Sequence, residues 1–241
     1  MIDLRFDGKH AVVCGSTRGI GRATAELFAL QGAQVTLLAR DDAALNELQQ
    51  ALPGNAAHRA FAVDFNNSEA LKALLEKQRD HFATATILIN NSGGPPAGLA
   101  IDSGPDSFRK AFERHLVSSQ LLVQSLSPGM KEAGSGRIIN VISTSVKSPI
   151  PGLGVSNTIR GAVANWAKTL SVELGPYGIT VNNILPGATA TDRLSEIISS
   201  KAQKLGISIE EVEDKMKAEI PARRFASPKE TASAILFLAS D

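Results

Sequence analysis

The 241-residue chain holds one cysteine, one tryptophan and one tyrosine. A lone cysteine excludes an intramolecular disulfide and any multi-cysteine metal cluster, and it suits a reducing compartment. No apolar run approaches the roughly 18 residues a membrane span requires. The opening segment, Met1-Ile2-Asp3-Leu4-Arg5-Phe6-Asp7, lacks the basic stretch and apolar run of a secretory signal. An excess of charge of either sign is missing too: 25 Lys+Arg stand against 24 Asp+Glu, a net of +1, which argues against a nucleic-acid partner. These absences lead us to expect a soluble, cytoplasmic protein with neither nucleic acid nor membrane as partner. A chain this long buries roughly 70% of its unfolded surface and needs no metal or disulfide staple. No Gly/Ser or Pro linker, internal repeat or low-complexity tract divides it, so residues 1–241 read as a single domain.

What is present is an alternation of short β-branched runs with longer helical patterns. Strands are expected at 10–14, 34–39, 58–63, 86–89, 137–142 and 179–184, and helices at 19–31, 42–52, 68–82, 108–132 and 156–175. Most strands are apolar nearly throughout, as parallel strands covered on both faces must be. Strand–helix repetition with short connections predicts an α/β fold, a Rossmann-type doubly wound parallel sheet between two helical layers. Gly32 and Gly175 follow helix ends, where a left-handed cap favours glycine. After Ile184 the rhythm changes. Residues 192–220 are polar and helical, with a charged stretch at 210–217, and read either as a solvated helix face or as a flap on the substrate side.

The first strand runs into Gly15-Ser16-Thr17-Arg18-Gly19-Ile20-Gly21, where a helix begins. Gly15 permits the tight turn, Gly19 lets backbone approach a diphosphate, and Gly21 lets helix and strand pack closely. Free N–H groups and the positive helix end then face the anion. At the end of the second strand an acidic residue would bond an adenosine ribose. The chain has Leu37-Leu38-Ala39-Arg40 instead, with Arg18 in the glycine turn. Two guanidiniums there suit a 2′-phosphate and favour NADP over NAD. Asp41 and Asp42 follow too late and are expected to start the next helix.

With these features the chain resembles the short-chain dehydrogenase/reductase family over essentially its whole length. The spacing of Gly15, Gly19 and Gly21 is that family's. Asp64 after the third strand resembles its adenine-contacting aspartate. Asn90-Asn91-Ser92-Gly93 resembles its turn after the fourth strand, with Ser92 in place of alanine, and adds Asn91 and Gly93 to the cofactor set. Asn182-Asn183-Ile184-Leu185-Pro186-Gly187 resembles the motif that brings Pro186, Gly187 and a following Thr191 to the nicotinamide. The resemblance implies NAD(P)-dependent oxidation of alcohols or reduction of carbonyls on a small-molecule substrate, and a homodimer or homotetramer pairing 108–132 and 156–175.

It also implies a catalytic set of Asn, Ser, Tyr and Lys, in which a lysine ammonium lowers the pKa of a tyrosine that exchanges the proton. Ser143, at the end of the fifth strand, matches the serine. The downstream run Trp166–Leu174 fixes the register, and Ser156 and Arg160 then occupy the Tyr and Lys positions, with His115 at the asparagine. Arg160 can donate and stabilise charge but cannot relay a proton near neutrality. Ser156 is a far weaker acid than tyrosine. His115, with an ordinary pKa near 6.5, is a candidate acid/base or a merely structural histidine. Lys147 is a further candidate donor, or a surface lysine. The sole tyrosine, Tyr177, reads as a turn residue, His10, His58 and His81 as structural, and Cys14 as a buried apolar group.

Two functions stay open. One is an NADP(H)-dependent reductase of a small carbonyl or a conjugated enone or enoyl compound, in which Ser143 and Arg160 orient the substrate and water, His115 or another group supplies the proton. The other is an NADP-binding protein that kept the cleft and lost the chemistry. The resemblance further implies a seventh strand, which is not found before Asp241, so the chain reads as shortened at that end.

Overall fold

A computed structural model describes residues 4–54 and 56–241. Six parallel strands form one sheet: β1 (His10–Cys14), β2 (Gln34–Ala39), β3 (Arg59–Ala62), β4 (Ile87–Asn90), β5 (Gly136–Val141) and β6 (Ile179–Ile184), in the order β3-β2-β1-β4-β5-β6. The order reverses between β1 and β4, and the crevice beyond the carboxyl ends of those strands is where such sheets bind ligands.

Alternate residues of each strand serve two cores. Ala11 and Val13 of β1 pack with α1 (Gly19–Leu30), α2 (Asp42–Ala51) and α10 (Pro228–Ala239). Val12 and Cys14 pack on the opposite face with α3 (Ser68–Lys77), α4 (Arg79–Ala83), α6 (Ser118–Glu132) and α7 (Gly154–Leu174). The doubly wound sheet expected from the alternation is therefore the fold. A smaller apolar cluster of Leu194, Ile198, Ala202 and Val212 joins α8 (Asp192–Leu205) to α9 (Ile209–Ala218), in the segment read as a flap.

Several boundaries differ from expectation for local reasons. The helix expected at 68–82 breaks at Gln78, whose φ of −110° and ψ of 27° leave the helical region, and α4 restarts in a direction that buries Phe82. The helix expected at 108–132 begins earlier, as α5 (Pro105–Phe112) with Pro105 in its first turn. Between α5 and α6 it widens into a π turn, Glu113–Val117, where the N–H of Ser118 bonds back to the Glu113 carbonyl. Gly175 is not left-handed. Its φ of −53° continues the helix into a short 3-10 turn, and Gly178 takes the left-handed conformation at φ 73°. No helix among the described residues is long and apolar enough to cross a membrane.

Candidate active site

The carboxyl ends of β1, β4, β5 and β6 converge on one cleft. At the end of β1, Gly15 is left-handed (φ 57°), and a Cβ there would stand 2.7 Å from the Asn91 carbonyl oxygen. At Gly21 a Cβ would overlap the Gly15 carbonyl, so α1 can leave the turn at this angle only with glycine. Ser16 is fully buried and bonds the Leu38 carbonyl through its hydroxyl (3.4 Å). Thr17 is half-buried, Arg18 exposed, and Ile20 packs on the core beneath α1. The Asn91 amide donates to the Cys14 and Gly15 carbonyls, 3.2 Å each, and thereby joins the turn after β4 to the glycine turn.

The adenosine side gathers Arg40, Asp64 and a residue the sequence did not single out, Arg114. Asp41 caps α2 by accepting from the Ala44 N–H, so the first carboxylate after β2 is committed to a helix end. Arg40 is exposed, with no ion pair among the described residues. Arg114, in the π turn, donates to the Asn66 side chain (2.9 Å) and the Gly93 carbonyl (3.2 Å). Its guanidinium is held below its ordinary pKa by burial and then by Arg40, against the opposing pull of Asp64, which places all three in one electrostatic neighbourhood. Asp64 accepts from the backbone and side chain of Asn66.

The other side of the cleft holds the remaining polar groups. An asparagine ladder crosses the strand ends: the Asn90 amide donates to Asn140 (2.9 Å), and the Asn140 amide to Asn183 (3.1 Å). Ser143 follows β5, and its oxygen accepts from the Ser145 N–H (3.1 Å), leaving its own proton available. Arg160 reaches in from α7, only 9% exposed, and donates to the Val141 carbonyl (2.9 Å) and the Ser92 carbonyl (3.4 Å). No carboxylate among the described residues pairs with it. Burial pulls this guanidinium down to about 10, still cationic at neutral pH. His115 is buried in the π turn, its Nδ1 2.6 Å from the Ser92 hydroxyl and its Nε2 without a partner. Burial, then Arg160 and Arg114, holds the ring well below its ordinary pKa, so it is neutral at pH 7. The proton exchange near neutrality expected of a free imidazole is thus not what this ring offers.

At the mouth, Thr191 caps α8, and a Cβ on Gly19 would stand 3.2 Å from its methyl group. Arg193 on α8 donates to the Pro95 carbonyl (2.7 Å) and pairs with Glu196 (3.2 Å), whose other oxygen lies 4.0 Å from Arg18. A polar strap thus runs from the glycine turn across α8 to the proline loop after β4. Pro186 accepts from the Thr144 N–H, and Gly187 from Thr189.

Comparison with known proteins matches this arrangement along the chain. The family model described as enoyl-(acyl carrier protein) reductase covers residues 15–241. The chain is 32% identical over 239 residues to the 3-oxoacyl-[acyl-carrier-protein] reductase FabG of Vibrio cholerae, which spans 98% of this chain and 92% of that one. It is 32% identical over 242 residues to the 7alpha-hydroxysteroid dehydrogenase of Escherichia coli, 99% of this chain and 89% of the other. The chain belongs to the short-chain dehydrogenase/reductase family. It is an enzyme of the oxidoreductase class that the family represents. Among solved structures, L-sorbose reductase from Gluconobacter frateurii, complexed with NADPH and L-sorbose, superposes with a TM-score of 0.90 at 31% identity, covering 100% of this chain and 92% of that one. YwfH, an NADPH-dependent reductase involved in bacilysin biosynthesis, gives 0.91 at 26%, covering 98% and 92%.

In this short-chain dehydrogenase/reductase fold the residues singled out from the sequence fall into two groups. Gly15 to Gly21, Asn91, Gly93, Ser143, Arg160, His115, Pro186, Gly187 and Thr191 lie at the carboxyl ends of the strands. Ser156 stands half-buried in the first turn of α7, four residues before Arg160, without a bond among those described. Tyr177 lies at the opposite, amino end of the strands, in the turn before β6, 46% exposed beneath the Lys131 ammonium. The turn reading of that residue matches its place. Sequence reasoning missed Arg114, Arg193 and the Ser92–His115 bond. Only the substitution of Ser92 for alanine carried a signal for any of them.

Proposed function

We propose that the chain is an NADP(H)-dependent reductase of a small carbonyl or conjugated enone or enoyl compound, residues 1–241 acting as one dinucleotide-binding domain in the cytoplasm. The observation that carries this reading is Arg160, a buried guanidinium held by two carbonyls and by no carboxylate among the described residues; one of those carbonyls, of Val141, lies two residues before Ser143. Burying a cation without an anion costs several kcal/mol. A substrate oxygen that gains negative charge during the reaction supplies that anion only when it is needed.

NADPH, when bound, supplies a hydride to the substrate carbon. Ser143 holds the substrate oxygen, and Arg160 stabilises the charge that develops on it. Ser156 lines the same helix as a weak hydroxyl donor. Water delivers the proton, since neither cationic Arg160 nor neutral His115 exchanges one readily at pH 7. A conjugated acceptor suits this arrangement, because its charge spreads over an enolate and depends less on a strong acid. Gly15, Ser16, Thr17, Arg18, Gly19, Ile20 and Gly21 cradle the diphosphate, Asp64 the adenine, and Asn91, Gly93, Pro186, Gly187 and Thr191 the nicotinamide side. NADP in preference to NAD is supported by unpaired Arg40 and by the commitment of Asp41 to its helix cap. The segment 192–220 acts as the substrate-side flap. Association into a homodimer or homotetramer is supported by exposed Phe112 on α5 and Val172 on α7, the elements the family resemblance pairs.

Calorimetry with NADPH and NADH, followed by NADPH oxidation across ketones, enones and enoyl thioesters, tests the reading. NADPH should bind at least about tenfold more tightly than NADH, with most of the difference lost in Arg40→Ala. Absence of oxidation across every class sinks it.

A further inference from the structure

Ser92 lies in the turn after β4 and touches both unusual polar groups of the cleft. Its hydroxyl is 2.6 Å from Nδ1 of His115, and its carbonyl accepts from Arg160. His115 and Arg160 are both buried, at 3% and 9% exposure, and come from different elements, the π turn and α7. The ring feels the guanidinium: the Arg160 charge is among the causes, after burial, that keep His115 neutral. The second ring nitrogen, Nε2, is sealed from solvent and has no partner, so the ring has no other hydrogen bond to fix its orientation. A neutral imidazole carries one proton on two nitrogens, and the nitrogen that holds it is decided by the bond the ring makes. Here that bond is to Ser92 alone, and since a proton on buried Nε2 would have no acceptor, the favoured form has Nδ1–H donating to the Ser92 oxygen. An alanine, the residue of the resembled turn, would leave the ring without any. Of the four places where the chain departs from the resembled pattern around this cleft, Ser92 thus bonds two others, His115 and Arg160, and only Ser156 stands apart.

We propose that Ser92 is a positioning residue for the reductase reaction: its hydroxyl fixes the tautomer and orientation of His115, and its carbonyl fixes Arg160, so that the charge-stabilising group keeps one geometry against the cleft. This inference rests on the reductase reading above. His115 serves in it as a neutral group in the electrostatic neighbourhood of the guanidinium, and takes no proton from substrate.

The test compares wild type, Ser92→Ala and Ser92→Thr. In the cofactor-free protein labelled with 15N-histidine, nitrogen shifts report the tautomer of His115. Wild type and Ser92→Thr should hold one tautomer. Ser92→Ala should show a mixture, or the opposite tautomer, in a folded protein whose melting temperature falls by only several degrees, as one lost buried hydrogen bond requires. With the best substrate from the panel, Ser92→Ala should lower kcat about tenfold, the size of one lost hydrogen bond, with KM for NADPH within about threefold and Ser92→Thr close to wild type. Should Ser92→Ala not fold, Ser92→Cys, a weaker hydrogen-bond partner, carries the same comparison. A wild-type ring spectrum in Ser92→Ala overturns the positioning role, even in an enzyme that oxidises NADPH. A shifted ring spectrum with no oxidation by wild type overturns the reductase reading, and the two failures are told apart in that way.

Discussion

Arg160 concentrates a tension that belongs to single residues. Its guanidinium has given up water for two neutral carbonyls, a poor exchange for folding and a useful one for holding charge ready. Arg160→Met keeps most of the side-chain length and removes the charge. The lost hydrogen bonds, about 1–3 kcal/mol each for a charged donor, oppose a relieved desolvation penalty of several kcal/mol. The variant should therefore match wild type in urea unfolding or exceed it by up to about 2 kcal/mol, while NADPH oxidation falls about a hundredfold or more. A large loss of stability would mean that the arginine is there to hold the fold. At this scale the sequence was informative wherever identity alone carries the chemistry. Gly15, Gly19 and Gly21 were legible because only glycine tolerates those approaches, and Ser143 and Arg160 because the register of α7 counts back to them. His115 was legible as a candidate and misleading as an acid, since an ordinary pKa says nothing about burial beside two guanidiniums. The Ser92–His115 bond joins residues 23 apart through a π turn, and no spacing marks that.

Elements are joined at the opposite end of the sheet by a relay of imidazoles and hydroxyls. His10 on β1 bonds Thr84 (2.8 Å) and Thr36 on β2 (2.7 Å), and Thr36 in turn meets His81 on α4 (2.7 Å). The break of the expected 68–82 helix at Gln78 is what turns His81 toward this relay. Burial first, then His81 and Arg59, lowers the His10 pKa to about 4. An unfolded chain takes up this proton near 6.5, before the folded one does. The stabilisation is whole above pH 6.5 and is lost as pH falls toward 4, by up to about 3 kcal/mol. Urea midpoints at pH 7 and pH 5 should drop steeply for wild type and less for His10→Asn; equal slopes would remove His10 from the acid response. Element types were legible from periodicity, because the two-faced core demands apolar strands and striped helices. Boundaries were less so. Gly175 and Gly178 flank the same turn, and which of them becomes left-handed depends on how β6 must enter the sheet, a tertiary demand absent from the local sequence.

The whole molecule is organised around β1, which pairs with β2 on one side and β4 on the other. Cys14 closes that strand, buried, and its thiol is pushed up to about 12 by loss of water, so its reactive thiolate is scarce. A soluble thiol reagent should label native protein only through global opening, with a protection factor that equals the unfolding free energy from urea and that rises when NADPH is added. Rapid labelling in native buffer would place Cys14 in a locally opening segment instead. Architecture was the most legible level, since strand and helix order leaves a parallel doubly wound sheet as the economical packing.

The pairing of α1 with α10 has a consequence in time. Phe28 and Ala29 of α1 share one apolar cluster with Ile235 and Leu236 of α10, a helix that follows all six strands. During synthesis the phosphate-cradling turn leaves the ribosome before β2 to β6, yet the helix that carries it waits for its cover until all of these strands have emerged. Contacts between such distant parts of a chain form slowly. The nascent sheet therefore keeps that face open to water and to chaperones until α10 arrives, and the cleft becomes able to bind dinucleotide only then.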